Sequence, residues 1–149
     1  MFAGFLRHAA GGQQFELSPG SLGMGHAFLE SSPLVRLAQP FMQALADQLN
    51  VSVALAIRDQ FEMLYVTYCS GKNIATLRLG VGSLLPMEST AIGRAYLWGL
   101  PSDDREALFK LMRKRFGVGF EAIHQAINAS FTELDTTGTC LVKGGYQRD

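Results

Sequence analysis

Residues 81–97, VGSLLPMESTAIGRAYL, constrain this 149-residue chain more than any other stretch. An apolar strand ends at Gly82, a short turn carries Pro86, and Ser89 or Thr90 then caps a new helix. Such a cap leaves the first backbone N–H groups, near Thr90, Ala91 and Ile92, without partners inside the helix. Together with the positive end of the helix dipole they favour a carboxylate or a phosphate. The same residues also make a plain strand-to-helix connection whose cap binds only its own backbone, because every helix has an amino terminus.

Around this corner the chain reads as alternating strands and helices. Residues 3–8 and 13–17 form two short strands joined by Gly11-Gly12, a pair suited to a tight hairpin. Residues 21–31 read as a short helix weakened by Gly23 and Gly25. Ser32 caps and Pro33 opens the next one, with Leu34, Leu37, Ala38, Phe41, Met42, Leu45 and Leu49 at helical spacing. That spacing predicts a core-packing helix, kinked or restarted at Pro40. Residues 51–58 and 61–69 are β-branched and aromatic runs joined through Asp59-Gln60, an antiparallel hairpin, and residues 74–80 form a third strand. After the central corner a helix starts at Ser102-Asp103-Asp104 and ends at the basic Arg113-Lys114-Arg115, which suits both ends of a helix dipole. A further helix spans 120–134, residues 139–142 form a final strand, and 143–149 are a loop. A meander of strands backed by amphipathic helices is an α+β design.

Composition narrows the function. The net charge of zero supplies no field to attract nucleic acid, and the 48% apolar, 17% charged make-up is that of one folded domain. No stretch of about 20 apolar residues is present to span a membrane, and the first residues lack the pattern of a signal peptide. Cys69 and Cys140 have no CxxC spacing, which places the chain in a reducing, cytoplasmic compartment with both thiols free. His8, His26 and His124 fall on different elements. There is no Gly-x-Ser-x-Gly elbow, no HExxH, no Walker loop and no GxGxxG, so the sequence offers no catalytic residues, no metal ligands and no cofactor motif.

The run RLGVGSLLPMESTAIGRAYLWGLPSDDREALF resembles the effector-domain signature of the IclR family of bacterial transcription regulators. The resemblance is carried by Arg78, Val81, Gly82, Leu85, Pro86, Thr90, Ala91, Gly93, Arg94, Ala95, Leu100 and Pro101, in order and at matching spacing. It implies a GAF- or profilin-like domain with an antiparallel sheet flanked by helices. It also implies a division into residues 1–19, the remnant of a winged-helix wing, 20–32, a linker helix, and 33–149, the effector-binding domain. Arg7 and His8 would then be phosphate contacts near the wing tip. The recognition helix before the wing and the strands after residue 149 would be missing, so the chain would be truncated at both ends and would reach DNA only through a winged helix it largely lacks.

Carried over from the family, a small carboxylic acid or aromatic effector would meet Met87, Ser89, Thr90 and Ala91, with Cys140 and Tyr146 on the polar side of the pocket. Met87 would be an adaptable apolar wall. A buried thiol in a strand is more often just a small hydrophobe, and Cys140 reads that way too. The domain would assemble as a homodimer or tetramer and spread effector binding to the DNA-binding heads by a shift in population. Two other readings stand beside this one: an effector-independent dimerisation module, and an enzyme of a type its motifs do not reveal.

Overall fold

The structure is a computed structural model that describes residues 4–9, 14–72 and 79–144. Two units divide the chain, Met1–Ala54 with Val66–Leu77 and Leu55–Tyr65 with Arg78–Asp149. Their boundaries fall inside two neighbouring strands.

In the first unit, β1 (Leu6–His8) pairs antiparallel with β2 (Phe15–Leu17), and Arg7 sits opposite Glu16. The Arg7 Nε to Glu16 Oε1 ion pair spans 2.8 Å in the open, where such a pair is worth about 0–1 kcal/mol. The strands are shorter than their sequence suggests, and the glycine turn lies outside the described residues. Next come α1 (Gly20–Ser31), with no buried residue, and α2 (Pro33–Leu49). Ser32 Oγ accepts from Val35 N at 3.4 Å, and Asn50 ends α2 in the left-handed conformation. The helix runs through Pro40 without restarting.

The apolar stripe of α2 is not core. Leu34, Leu37, Phe41, Leu45 and Leu49 are exposed, while Val35 and Ala46 on the flank are buried. Close approach sets that rotation. Gly71 lies so near that a Cβ there would be 2.8 Å from the Ala46 carbonyl oxygen, and Gln43 Nε2 reaches the Ser70 carbonyl at 3.5 Å. Helical spacing locates an apolar face but does not say which flank the rest of the chain takes.

A three-stranded sheet has the order β3-β4-β5, with β3 Ser52–Asp59, β4 Glu62–Ser70 and β5 Leu84–Pro86. The hairpin turn falls on Gln60-Phe61, one residue later than expected, with Gln60 at φ 53°. β5 runs antiparallel to β4, pairing Leu84 with Leu64, Leu85 with Met63 and Pro86 with Glu62. The strand therefore begins after Gly82 rather than ending there. Gly82, at φ +90°, makes the preceding turn, and Pro86 closes the strand instead of sitting in the turn. Met87 N donates to the Phe61 carbonyl at 3.0 Å and completes the pairing. Of the expected strand 74–80, residues 74–78 lie outside the described residues, and 79–80 are irregular.

The helices of the second unit are α3 (Ala91–Gly99), α4 (Ser102–Phe116) and α5 (Phe120–Thr137), with a single 3-10 turn between the last two. They bury Met63, Met87, Leu97, Leu108, Phe109, Met112, Phe120 and Ile127 as one cluster. Each such side chain contributes about 1.5–3 kcal/mol on burial. The basic end of α4 is exposed, with Arg113 over the Phe120 ring at 5.1 Å and Arg115 over Phe61 at 5.0 Å. Gly138, at φ 73°, ends α5. The expected strand 139–142 is irregular instead, because its backbone finds side chains rather than a neighbouring strand. Leu141 N donates to Glu133 Oε2 at 3.2 Å and Thr139 N to Thr137 Oγ1 at 3.3 Å.

Gly93 is the tightest point of this core, since a Cβ there would overlap the backbone of Met87. Gly93→Ala should therefore cost about 2 kcal/mol or more. Gly99→Ala, where a Cβ meets nothing within 4 Å, should leave the urea midpoint unchanged or slightly raised. Equal midpoints for the two variants would show that the Met87 contact is loose.

Candidate functional site

The corner between β5 and α3 is held from three sides. Thr90, extended at φ −122°, caps α3: its Oγ1 accepts from Gly93 N at 3.4 Å and donates to the Pro86 carbonyl at 2.7 Å. The Arg94 guanidinium donates from Nε to the Glu88 carbonyl at 3.0 Å, and from Nη1 to the Ala126 carbonyl at 3.2 Å and Ser130 Oγ at 3.0 Å. These charge-assisted bonds tie the corner to α5. From below, Met87 is fully buried under Gly93.

Above the corner opens a cleft of about 280 Å³, lined by Tyr65, Leu85, Ser89, Thr90, Ala91, Ile92 and Val142. The N–H groups of Ala91 and Ile92, the first two of α3, have no acceptor among the described residues. The cleft thus combines apolar walls, two free N–H groups at a helix amino terminus and the Ser89 hydroxyl. That is a small site for an anionic or carbonyl oxygen on an apolar body.

Ser89, Thr90 and Ala91 all line the cleft. The Thr90 proton is already committed to Pro86. Met87 lies in the core beneath the cleft and is not part of its lining. Cys140 sits behind Ala91, its Sγ donating to the Ala91 carbonyl at 3.6 Å, and does not line the cleft either. Tyr146 lies outside the described residues. Arg7 and His8 are in the first unit, Arg7 paired with Glu16 and His8 against the Phe15 ring at 4.6 Å between centroids.

The sequence reading missed Tyr65, Leu85 and Val142 and named Ile92 only for its backbone N–H. Leu85 and Ile92 belong to the same signature run, and the period-2 alternation of β4 puts Tyr65 on the face of Met63. No pattern links Val142 to the corner.

Burial pushes the Cys140 thiol up, and the Glu133 carboxylate adds to this, partly offset by the Arg94 guanidinium. Burial first, then Asp47, likewise pushes up the Cys69 thiol. Both thiols are free and behave as small hydrophobes at neutral pH. His124 is held between aromatic rings, 4.9 Å from Phe109 and stacked at 5.4 Å on Phe120. Among the described residues no group of three or more His, Cys, Asp and Glu side chains is arranged to hold a metal ion.

The second unit is α+β, with a small cleft over the amino terminus of α3. Comparison with known proteins gives the family. Residues 26–142 match the family model described as bacterial transcriptional regulator IclR C-terminal. The chain belongs to the IclR family of transcriptional regulators, which are regulators and not enzymes. It is 25% identical over 148 residues to the HTH-type transcriptional regulator TsaQ1/TsaQ2 of Comamonas testosteroni, covering 98% of this chain and 53% of that protein. An IclR family transcriptional regulator from Brucella abortus superposes with a TM-score of 0.84 at 32% identity, covering 99% of this chain and 56% of that one. The fold is shared, at a TM-score of 0.57 and 20% identity, by an IclR homolog from Microbacterium hydrocarbonoxydans solved with 4-hydroxybenzoate; the match covers 89% of this chain and 55% of that one. The chain spans about half the length of these relatives.

The raised Cys140 thiol has a measurable consequence. A raised value in the fold means that folding favours the protonated thiol. The stability this gives is present below the ordinary thiol value, about 8.5, and is lost as pH rises through the higher folded value. Iodoacetamide labelling of Cys140, followed by peptide mass mapping, should therefore rise with pH later than labelling of a free cysteine peptide. Labelling that tracks the free peptide would place the thiol in open water.

Proposed function

We propose that this chain is the effector-sensing and oligomerising part of an IclR-type DNA-binding regulator, with residues 33–149 as the sensor, 20–32 as the linker helix and 1–19 as the remnant wing. Its effector is a small aromatic or aliphatic carboxylate. One observation carries the reading: the cleft at the α3 amino terminus holds free N–H groups of Ala91 and Ile92 beside the apolar walls of Tyr65, Leu85 and Val142. The carboxylate takes those N–H groups and Ser89, and its body lies on the walls. The effector acts by binding one arrangement of paired domains more tightly, which biases the DNA-binding heads; Arg7 and His8 belong to the DNA side. No helix among the described residues is long and apolar enough to cross a membrane.

A second observation favours oligomer formation independent of any effector. The stripe Leu34, Leu37, Phe41 and Leu45 of α2 is exposed, and contiguous apolar faces of this kind mark protein contacts. We place the partner subunit on this face.

Calorimetric titration of the chain with 4-hydroxybenzoate and a panel of aliphatic carboxylates tests the sensor. One class should bind saturably. Ser89→Ala should weaken it about 3- to 10-fold, the effect of one hydrogen bond, and Ala91→Phe, which fills the cleft, should abolish it. A cooperatively melting chain that binds none of them at millimolar concentration would refute the sensor and leave the dimerisation module. Sedimentation of Phe41→Glu should show a lower mass than the parent chain, and an unchanged mass would clear α2 of that role.

A further inference from the structure

We propose that a second cleft in the same unit, sharing no residue with the first, binds a small zwitterion: an amino acid with an aliphatic body. The cleft holds about 410 Å³ between the end of β3, α3 and α4. Asp104, Leu108 and Leu111 lie one helical turn apart along one face of α4 and form one side. Tyr96 and Leu100 come from α3 and its end, and Arg58 closes the other side from β3.

The chemistry of the lining selects the ligand. Leu108 is buried and makes an apolar floor, while Leu111 is half exposed at the rim. Arg58 is oriented by its Nε, which donates to the Gln60 carbonyl at 2.8 Å, and its remaining guanidinium N–H groups have no acceptor among the described residues. Neither the Asp104 carboxylate nor the Tyr96 hydroxyl has a partner there either. Arg58 and Asp104 thus line one cleft without pairing with each other; the described ion pair is Arg7 with Glu16. A cation and an anion facing one apolar-floored space are complementary to a molecule that carries both charges. A plain carboxylate satisfies Arg58 but brings like charge to Asp104, and a plain amine does the reverse. The Tyr96 hydroxyl, both donor and acceptor, adds a third contact. Because the cleft is open and its charges are solvated, binding is in the millimolar range, suited to sensing a pool and not a trace signal.

Amide NMR of the isotope-labelled chain tests this with L-leucine as the probe. Leucine should shift the resonances of Leu100, Asp104 and Ala107 saturably and leave Ala91 and Ile92 unmoved. The deaminated analogue 4-methylpentanoate and the decarboxylated analogue 3-methylbutylamine should each bind about 3- to 5-fold more weakly, the loss of one solvated charge contact. Asp104→Asn should weaken leucine about 3- to 5-fold and spare 4-methylpentanoate. Arg58→Gln should weaken leucine equally and spare the amine. A thermal melt of each variant checks that it folds, and the two variants report independently. The proposal fails if leucine gives no saturable shift, if all three compounds bind alike, or if neither variant changes leucine binding. It fails too if the cleft resonances move with protein concentration in place of leucine, which would make the cleft a protein contact.

Discussion

The second unit depends on one close approach: the bare Cα of Gly93 against the backbone of Met87. With no side chain between them, α3 settles onto the end of β5, and the Met87 side chain drops into the cluster with Met63, Leu97 and Ile127. Everything at the corner follows from that seat. Thr90 falls where its hydroxyl reaches both Pro86 and Gly93, and Arg94 falls where it reaches back to Glu88 and across to Ala126 and Ser130. A site built this way is positioned by packing and needs little ordering on ligand arrival.

Much of this was legible in the sequence because it rests on local rules. Caps at Ser32 and Thr90, acidic first turns, and the hairpin runs each declare themselves within a few residues. What was not legible depends on partners far away in the chain. Pro86 reads as a turn residue until the register with Glu62 shows it closing an edge of the described sheet. Residues 139–142 read as a strand by composition, yet Glu133 and Thr137 take the backbone N–H groups that a strand would share. The stripe of α2 reads as core, yet the approach of Gly71 to Ala46 turns that helix on its flank. Periodicity gives a face, and only tertiary contact gives its direction.

The site divides along the same line. Ser89, Thr90 and Ala91 could be placed together because they are consecutive at a helix start. Met87 and Cys140 were assigned by analogy, and each lies one layer from the cleft. Met87 is drawn beneath by its close backbone contact with Gly93, six residues on in sequence, and Cys140 by its contact with the Ala91 carbonyl. Tyr65 and Val142 arrive from a strand and a tail with no sequence motif to join them.

Arg94 bears on what the first cleft would discriminate on the proposed function. It is the cation of the corner, yet it lines neither cleft, and its donors go to two carbonyls and a hydroxyl. A carboxylate at the α3 amino terminus therefore meets N–H groups and a dipole end without a formal positive charge among the lining residues. Such a terminus contributes about 0.3–1 kcal/mol to an anion at an exposed position, up to about 2 where it is partly buried. The greater part of any affinity then comes from the apolar walls of Tyr65, Leu85, Ile92 and Val142, at about 25 cal/mol for each Å² of apolar surface removed from water. On the proposed function, this cleft would distinguish ligands by the shape and size of their apolar body more than by their charge. The proposed Arg58–Asp104 site, with formal charges beside an apolar floor, would do the opposite.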